Sequence, residues 1–239
     1  MKIKVFFAAA FLLIFLLNGP AGLPAQEAVL RDAGIAEDNT PALRLEQASE
    51  LEARLAADAL RETAAYFRGL GFSLPAEASV KVLFQDPIVI KGRTWDCAHG
   101  VFDPDTATIW MIRYDSEQFQ SCRLFGLEPI PELYRAILVH EFTHYMNSLV
   151  SPGLIPTVDE AIAGTVQFAL LEPSLREEIL ENYEIKKFGS FRDLCMSAYM
   201  NEPDDFLLAS YRYNSSHPVV FRRLLEQRGP VLKDPFFID

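Results

Sequence analysis

Cysteine is scarce, with only Cys97, Cys122 and Cys195 in 239 residues. No two of them form Cys-x-x-Cys, so neither a cysteine zinc knuckle nor a thioredoxin-type redox site is supported. Positive charge is also short: 22 Lys and Arg stand against 33 Asp and Glu, for a formal net charge of −11. A chain this acidic lacks the electrostatic footprint of a nucleic-acid binder, and no nucleic-acid partner is expected. The acids are spread along the chain rather than gathered in a tail, the pattern of a solvated surface. There is no internal repeat and no low-complexity tract, so nothing points to a repeat architecture.

The apolar run Val5 to Leu17 is shorter than the roughly 18 to 20 residues of a spanning helix. Lys2 and Lys4 precede it, and Gly19, Pro20 and Ala21 follow, with Ala25 as a small residue before Gln26. That layout is a signal peptide over residues 1–25, which directs the chain out of the cytoplasm as a secreted or periplasmic protein. The alternative is an uncleaved anchor, which leaves the same domain outside the cytoplasm but tethered to the membrane. No cysteine stands near the cleavage point, so lipid attachment there is unsupported. Cleavage removes two lysines and no acid, making the exported chain more negative still. Outside the cytoplasm disulfides persist, and Cys97 with Cys122 is the better pair because the two bracket one short segment. Such a bridge contributes about 3 kcal/mol in the chain-entropy view. The alternative is three thiols.

Hydrophobic residues make up 50% of the chain, enough for one buried core, and a single domain over 41–239 is expected after a linker at 26–40. Apolar residues at helical spacing predict an amphipathic helix from Ala42 to Leu70, ended by Gly69 and Gly71. Strands are expected at Val80 to Phe84, at Ile88 to Ile90, and at Gly100 to Phe102 paired with Ala107 to Ile112 as a hairpin across Asp103, Pro104 and Asp105. After Pro131 the pattern turns helical as far as Val150, where Ser151, Pro152 and Gly153 stop it. Further helices are expected at 158–171, 173–187, 189–199 and 216–228. The fold class is α+β, with a small mixed or antiparallel sheet.

His140, Glu141, Phe142, Thr143 and His144 form His-Glu-x-x-His inside that apolar helix, using two of the four histidines of the chain. Residues four apart share a helix face, so both imidazoles can reach one zinc ion, with Glu141 beside it as general base toward a water. A catalytic zinc keeps about three protein ligands, so one more donor is required. A metzincin would have glycine and histidine where this chain has Asn147 and Val150, and an aspzincin would have aspartate where it has Gln167. Both classes are excluded. Glu160, in the stretch Pro156 to Ala163 and twenty residues after His140, is the remaining donor, with Asp159 as the adjacent alternative.

This order resembles the gluzincin metallopeptidases, which include thermolysin-like enzymes and many aminopeptidases. The resemblance covers roughly residues 80 to 228. It implies a zincin-like helical core against the sheet, one zinc ion on His140, His144 and Glu160, a strand along the substrate cleft within Val101 to Ile112, and cleavage of a peptide or protein substrate. It also implies a tyrosine or histidine for the oxyanion. Tyr211, Tyr213 and His217 are the candidates, with Tyr213 first. The chain departs from the family pattern in having Thr157 and Ala161 where Trp and Gly are common, and Gly164 where a thermolysin-like enzyme has the aspartate that orients a zinc histidine. Two other readings stay open: a catalytically silent binding module on the same fold, and an amidase acting on a non-peptide bond such as one in a cell wall.

Overall fold

The computed structural model describes residues 40–95, 98–184 and 195–226. The expected signal peptide lies outside them, as does the linker up to residue 39. The protein is mixed α/β: a four-stranded sheet, a two-stranded pair and eight helices among the described residues.

Ala42–Glu46 is a strand, β1, not the start of a helix, and its alternating Leu43 and Leu45 pair it in parallel with the next strand. The helix α1 spans Glu50–Gly69 and begins where Ser49 caps it: Ser49 accepts from Glu52 N, and Glu52 reaches back to the Ser49 N–H at 2.7 Å. This reciprocal capping satisfies two N-terminal donors and fixes the start. Glu52 is buried and also accepts from Tyr114 N at 2.8 Å, so the cap ties the first turn of α1 to the far end of the sheet.

β2 (Ser79–Gln85) lies between β1 and β6 (Thr108–Ile112), parallel to both, and β5 (Gly100–Asp103) pairs antiparallel with β6. The sheet order β1-β2-β6-β5 leaves β5 at one edge. The expected hairpin is present. Between β2 and β5, β3 (Val89–Ile90) and β4 (Arg93–Thr94) form a small antiparallel pair.

After the short α2 (Glu117–Gln120), the helix α3 runs over Pro131–Val150, as its pattern predicts. Every residue from Leu133 to Asn147 is buried, so α3 is the central element, enclosed rather than amphipathic. α1 covers one side of it. Arg135 pairs with Glu62 of α1 and Glu132 of α3, and donates to Leu170 O at 2.8 Å. Tyr134 donates to Ile112 O, fastening α3 to the sheet.

α4 (Pro156–Ala169) follows a short turn, opening on Pro156 in its first turn, and packs on α3; α5 is Pro173–Asn182. Of the helix expected at 189–199, residues up to 194 lie outside the described ones, and α6 occupies Met196–Asn201. α7, a helix not expected from the sequence, covers Pro203–Ser216, and the helix expected at 216–228 is present as α8, Pro218–Glu226. Pro203 opens α7 and Phe206, Leu207, Leu208 and Ser210 bury its inner face, so the segment read as the approach to a helix is itself helical. Cys122 and Cys195 carry free thiols. Cys97, the expected partner of Cys122, lies outside the described residues.

Asp204, in the first turn of α7, accepts from Phe125 N at 2.9 Å and so holds the turn at 124–127. Burial pushes its carboxyl up to about 6, opposed by that N–H and reinforced by Asp205 and Glu202. A folded pKa above the unfolded value means that the folded state holds its proton more tightly, so the stabilisation is complete in acid and is lost as pH rises through about 6. The cost above that pH is about 3 kcal/mol at 1.36 kcal/mol per unit. Asp204→Asn keeps an acceptor for Phe125 and removes the charge. Thermal denaturation should show the variant more stable than the parent at pH 7.5, with the gain vanishing near pH 4. An equal gain at both values would remove Asp204 from this account.

Candidate metal centre

Packing of α4 against α3 carries the three expected ligands together. Contacts pair Asn147 with Asp159, His144 with Glu160, and His140 with Gln167, so residue numbers fall on one helix as they rise on the other, and the two run antiparallel. His140 and His144, a turn apart, project from the same face of α3 toward Glu160. His140 Nε2 is 3.1 Å from His144 Nε2 and 3.1 Å from Glu160 Oε2, and His144 Nε2 is 3.6 Å from Glu160 Oε2. The ring centroids are 4.8 Å apart and the planes nearly perpendicular, at 78°. One donor atom from each residue lies within 4.8 Å of the others, and this cluster could hold a metal ion.

The ring nitrogens facing away from the cluster are held too. His140 Nδ1 is 3.1 Å from Gln167 Oε1, which fixes that ring with Nε2 turned inward. His144 Nδ1 is 2.9 Å from Asp159 Oδ2, and Asn147 Nδ2 donates to Asp159 Oδ1 at 2.7 Å. Such outer partners set the tautomer and the orientation of a ligating imidazole. The two acids that were rivals from sequence therefore divide the work: Glu160 faces the cluster and Asp159 braces His144. Gln167, which in sequence only ruled out an aspartate ligand, braces His140. The thermolysin-like bracing position at Gly164 is taken up by packing instead. A Cβ there would meet Leu207 Cα of α7 at 3.1 Å and its Cδ2 at 2.7 Å, so a larger residue has no room.

The electrostatics are those of a cation site. Burial opposes charge on His144, but Asp159 and Glu160 outweigh it and raise its pKa well above the usual imidazole value. Burial likewise works to raise Glu160, yet His144 and hydrogen bonds from both imidazoles hold its carboxyl far below the ordinary range. Buried carboxylates that draw a proton onto an imidazole form a donor set that a divalent ion can satisfy by displacing that proton.

Glu141 points a quarter-turn away from the histidines, against β5. A Cβ on Gly100 would lie 2.6 Å from Glu141 Cγ and Oε1, so only glycine admits the carboxylate at this place in the strand. Burial raises the Glu141 pKa, and the imidazoles only partly oppose the rise.

Tyrosine placement differs from the expected one. Tyr213 sits on α7 and stacks on His217, with centroids 4.4 Å apart, and Tyr211 stacks on Phe168 at 5.5 Å. The tyrosine that comes to the cluster is Tyr199, on α6. Burial and the charges of Glu160 and Glu141 raise its pKa well above the usual phenol value, and its hydroxyl lies beside Glu160. Its ring rests on Phe206 of α7 at 5.3 Å. Nothing in the local pattern around Met196–Asn201 marks it, because the contact is made only when α6 folds over α4.

A family model described as a family of unknown function (DUF6639) matches residues 43–225, and the chain belongs to that family. No curated protein and no solved structure matches it.

Bracing and ligation separate by experiment. Glu160→Ala should lose metal outright, whereas Asp159→Ala and Gln167→Ala should bind the ion roughly 10- to 100-fold more weakly, read by competition with a chromophoric chelator. Unchanged affinity in both bracing variants would refute the assignment.

Proposed function

We propose that this member of the DUF6639 family is an exported zinc-dependent metallohydrolase that cuts peptide bonds. The observation that carries the reading is the convergence of two imidazole nitrogens and one carboxylate oxygen within 4.8 Å, with a further buried carboxylate, Glu141, beside them. Two histidines and a glutamate are a donor set suited to zinc with a position left open. When bound there, a zinc ion supplies a Lewis acid that polarises a carbonyl and lowers the pKa of a water.

The remaining chemistry falls to residues of the chain. Glu141 takes the proton of the attacking water on its carboxylate and hands it to the departing amine, and a pKa raised by burial makes that carboxylate a stronger base. His140 and His144 are aimed inward through Gln167 and Asp159. Tyr199, its hydroxyl near Glu160 and Glu141, is suited to donate to the developing oxyanion and replaces Tyr213 in that role. Among the described residues the outer side of the edge strand β5, beside Glu141, pairs with no other strand, and an extended peptide can add to it as a further strand. This favours a peptide over a compact non-peptide amide. The intact Glu141 disfavours a silent binding module. Export rests on the basic and apolar pattern of residues 1–25; among the described residues no helix is long and apolar enough to cross a membrane.

Glu141→Gln should retain one equivalent of zinc by elemental analysis while peptide cleavage falls by about 10²- to 10⁴-fold. Cleavage at the parent rate, or cleavage indifferent to a chelator, would contradict the reading. Tyr199→Phe should lower kcat by about 10²- to 10³-fold, and Tyr213→Phe should leave it unchanged. The reverse order would return the oxyanion role to Tyr213.

A further inference from the structure

The seam between β5 and α3 continues past Glu141. Gly100 packs on Glu141, and two residues on, the Phe102 ring meets the Tyr145 ring edge-on at 6.0 Å. Two residues further, Pro104 faces Ser148 and Leu149 across a cavity of about 430 Å³, which Ala78, Ala107 and Tyr145 also line. The two walls keep pace. Four residues of extended chain from Gly100 to Pro104 cover about 13 Å at ~3.3 Å each, and eight residues of helix from Glu141 to Leu149 cover about 12 Å at ~1.5 Å each. The cavity therefore stands at the end of one continuous seam that begins at the proposed general base.

We propose that this cavity is a specificity subsite, resting on the hydrolase reading above. It takes a bulky neutral side chain three or four residues N-terminal to the bond that is cut. β5 is an edge strand, and among the described residues no strand pairs with its outer side. A peptide that adds antiparallel to β5 runs against it, and its N-terminal side is carried from Glu141 toward Pro104. The volume lies in the range of small-ligand pockets and accommodates a large ring. None of the residues lining it is charged, so a charged side chain would be desolvated there without compensation.

The test uses the mature zinc-loaded protein and a library of blocked octapeptides, with cleavage products sequenced. The parent should favour large neutral side chains such as Leu, Phe or Tyr over Ala, Asp and Lys by about tenfold in kcat/KM, three or four residues before the cut. Leu149→Trp, which fills the cavity, should erase that preference while zinc content and Tm stay at parent values. A second variant, Ser148→Phe, should do the same if Leu149→Trp folds poorly. Cleavage with no preference at those positions, or a preference that survives both substitutions, would overturn the subsite and leave the hydrolase standing. No cleavage of any peptide would overturn both.

Discussion

The antiparallel contact between α3 and α4 is the constraint on which the site depends. His140 and His144 face one way because they stand four apart on a helix, but a face is only half a site. The other half, Glu160, belongs to a second helix, and the short turn at 151–155 returns α4 along α3 at hydrogen-bonding distance. The same approach brings Asp159 to His144 and Gln167 to His140, so one packing event supplies both the candidate ligands and their braces. Proline in the first turn of each helix helps fix where each begins, and therefore which residues meet.

That contact imposes an electrostatic cost that the fold must meet. Glu141, Asp159 and Glu160 gather around two imidazoles in a buried place, and burying carboxylates without compensating charge is strongly unfavourable. The structure answers with Asn147 donating to Asp159 and with His144 and His140 set against Asp159 and Glu160. The sheet, α1 and α4 pack around α3 and lower the local dielectric about this network, which strengthens its interactions. Gly164 and Gly100 mark two places where close approach left no room for a side chain, one letting α7 down onto α4 and the other letting β5 down onto Glu141.

Much of this was legible in the amino-acid sequence, and the line between legible and hidden is physical. His-Glu-x-x-His is a local pattern, fixed by helix geometry, and its reading needs no tertiary information. Glu160 was reachable because the stop at Ser151 to Gly153 and the restart at Pro156 bound the length of the turn. The strands at 79–85, 100–103 and 108–112 follow from alternation and a turn sequence. β1 was missed although the signal was present: Ser49 with Glu52 three residues later is a capping box, and it places the helix start after 46 rather than at 42. α7 was missed because Tyr211 to His217 reads as polar, and only packing on α4 shows which of its residues face inward. Tyr199 and the bracing roles of Asp159 and Gln167 depend on which helix lies over which, and no spacing within one segment encodes that.

X-ray absorption at the zinc edge of the metal-loaded protein tests directly whether His140, His144 and Glu160 bind a single zinc ion together. A first shell of nitrogen and oxygen at roughly 2.0 to 2.2 Å is expected, with the multiple-scattering signature of two imidazoles and no sulfur. A sulfur scatterer near 2.3 Å, the distance of a zinc–thiolate bond, or a shell with fewer than two imidazoles, would contradict it.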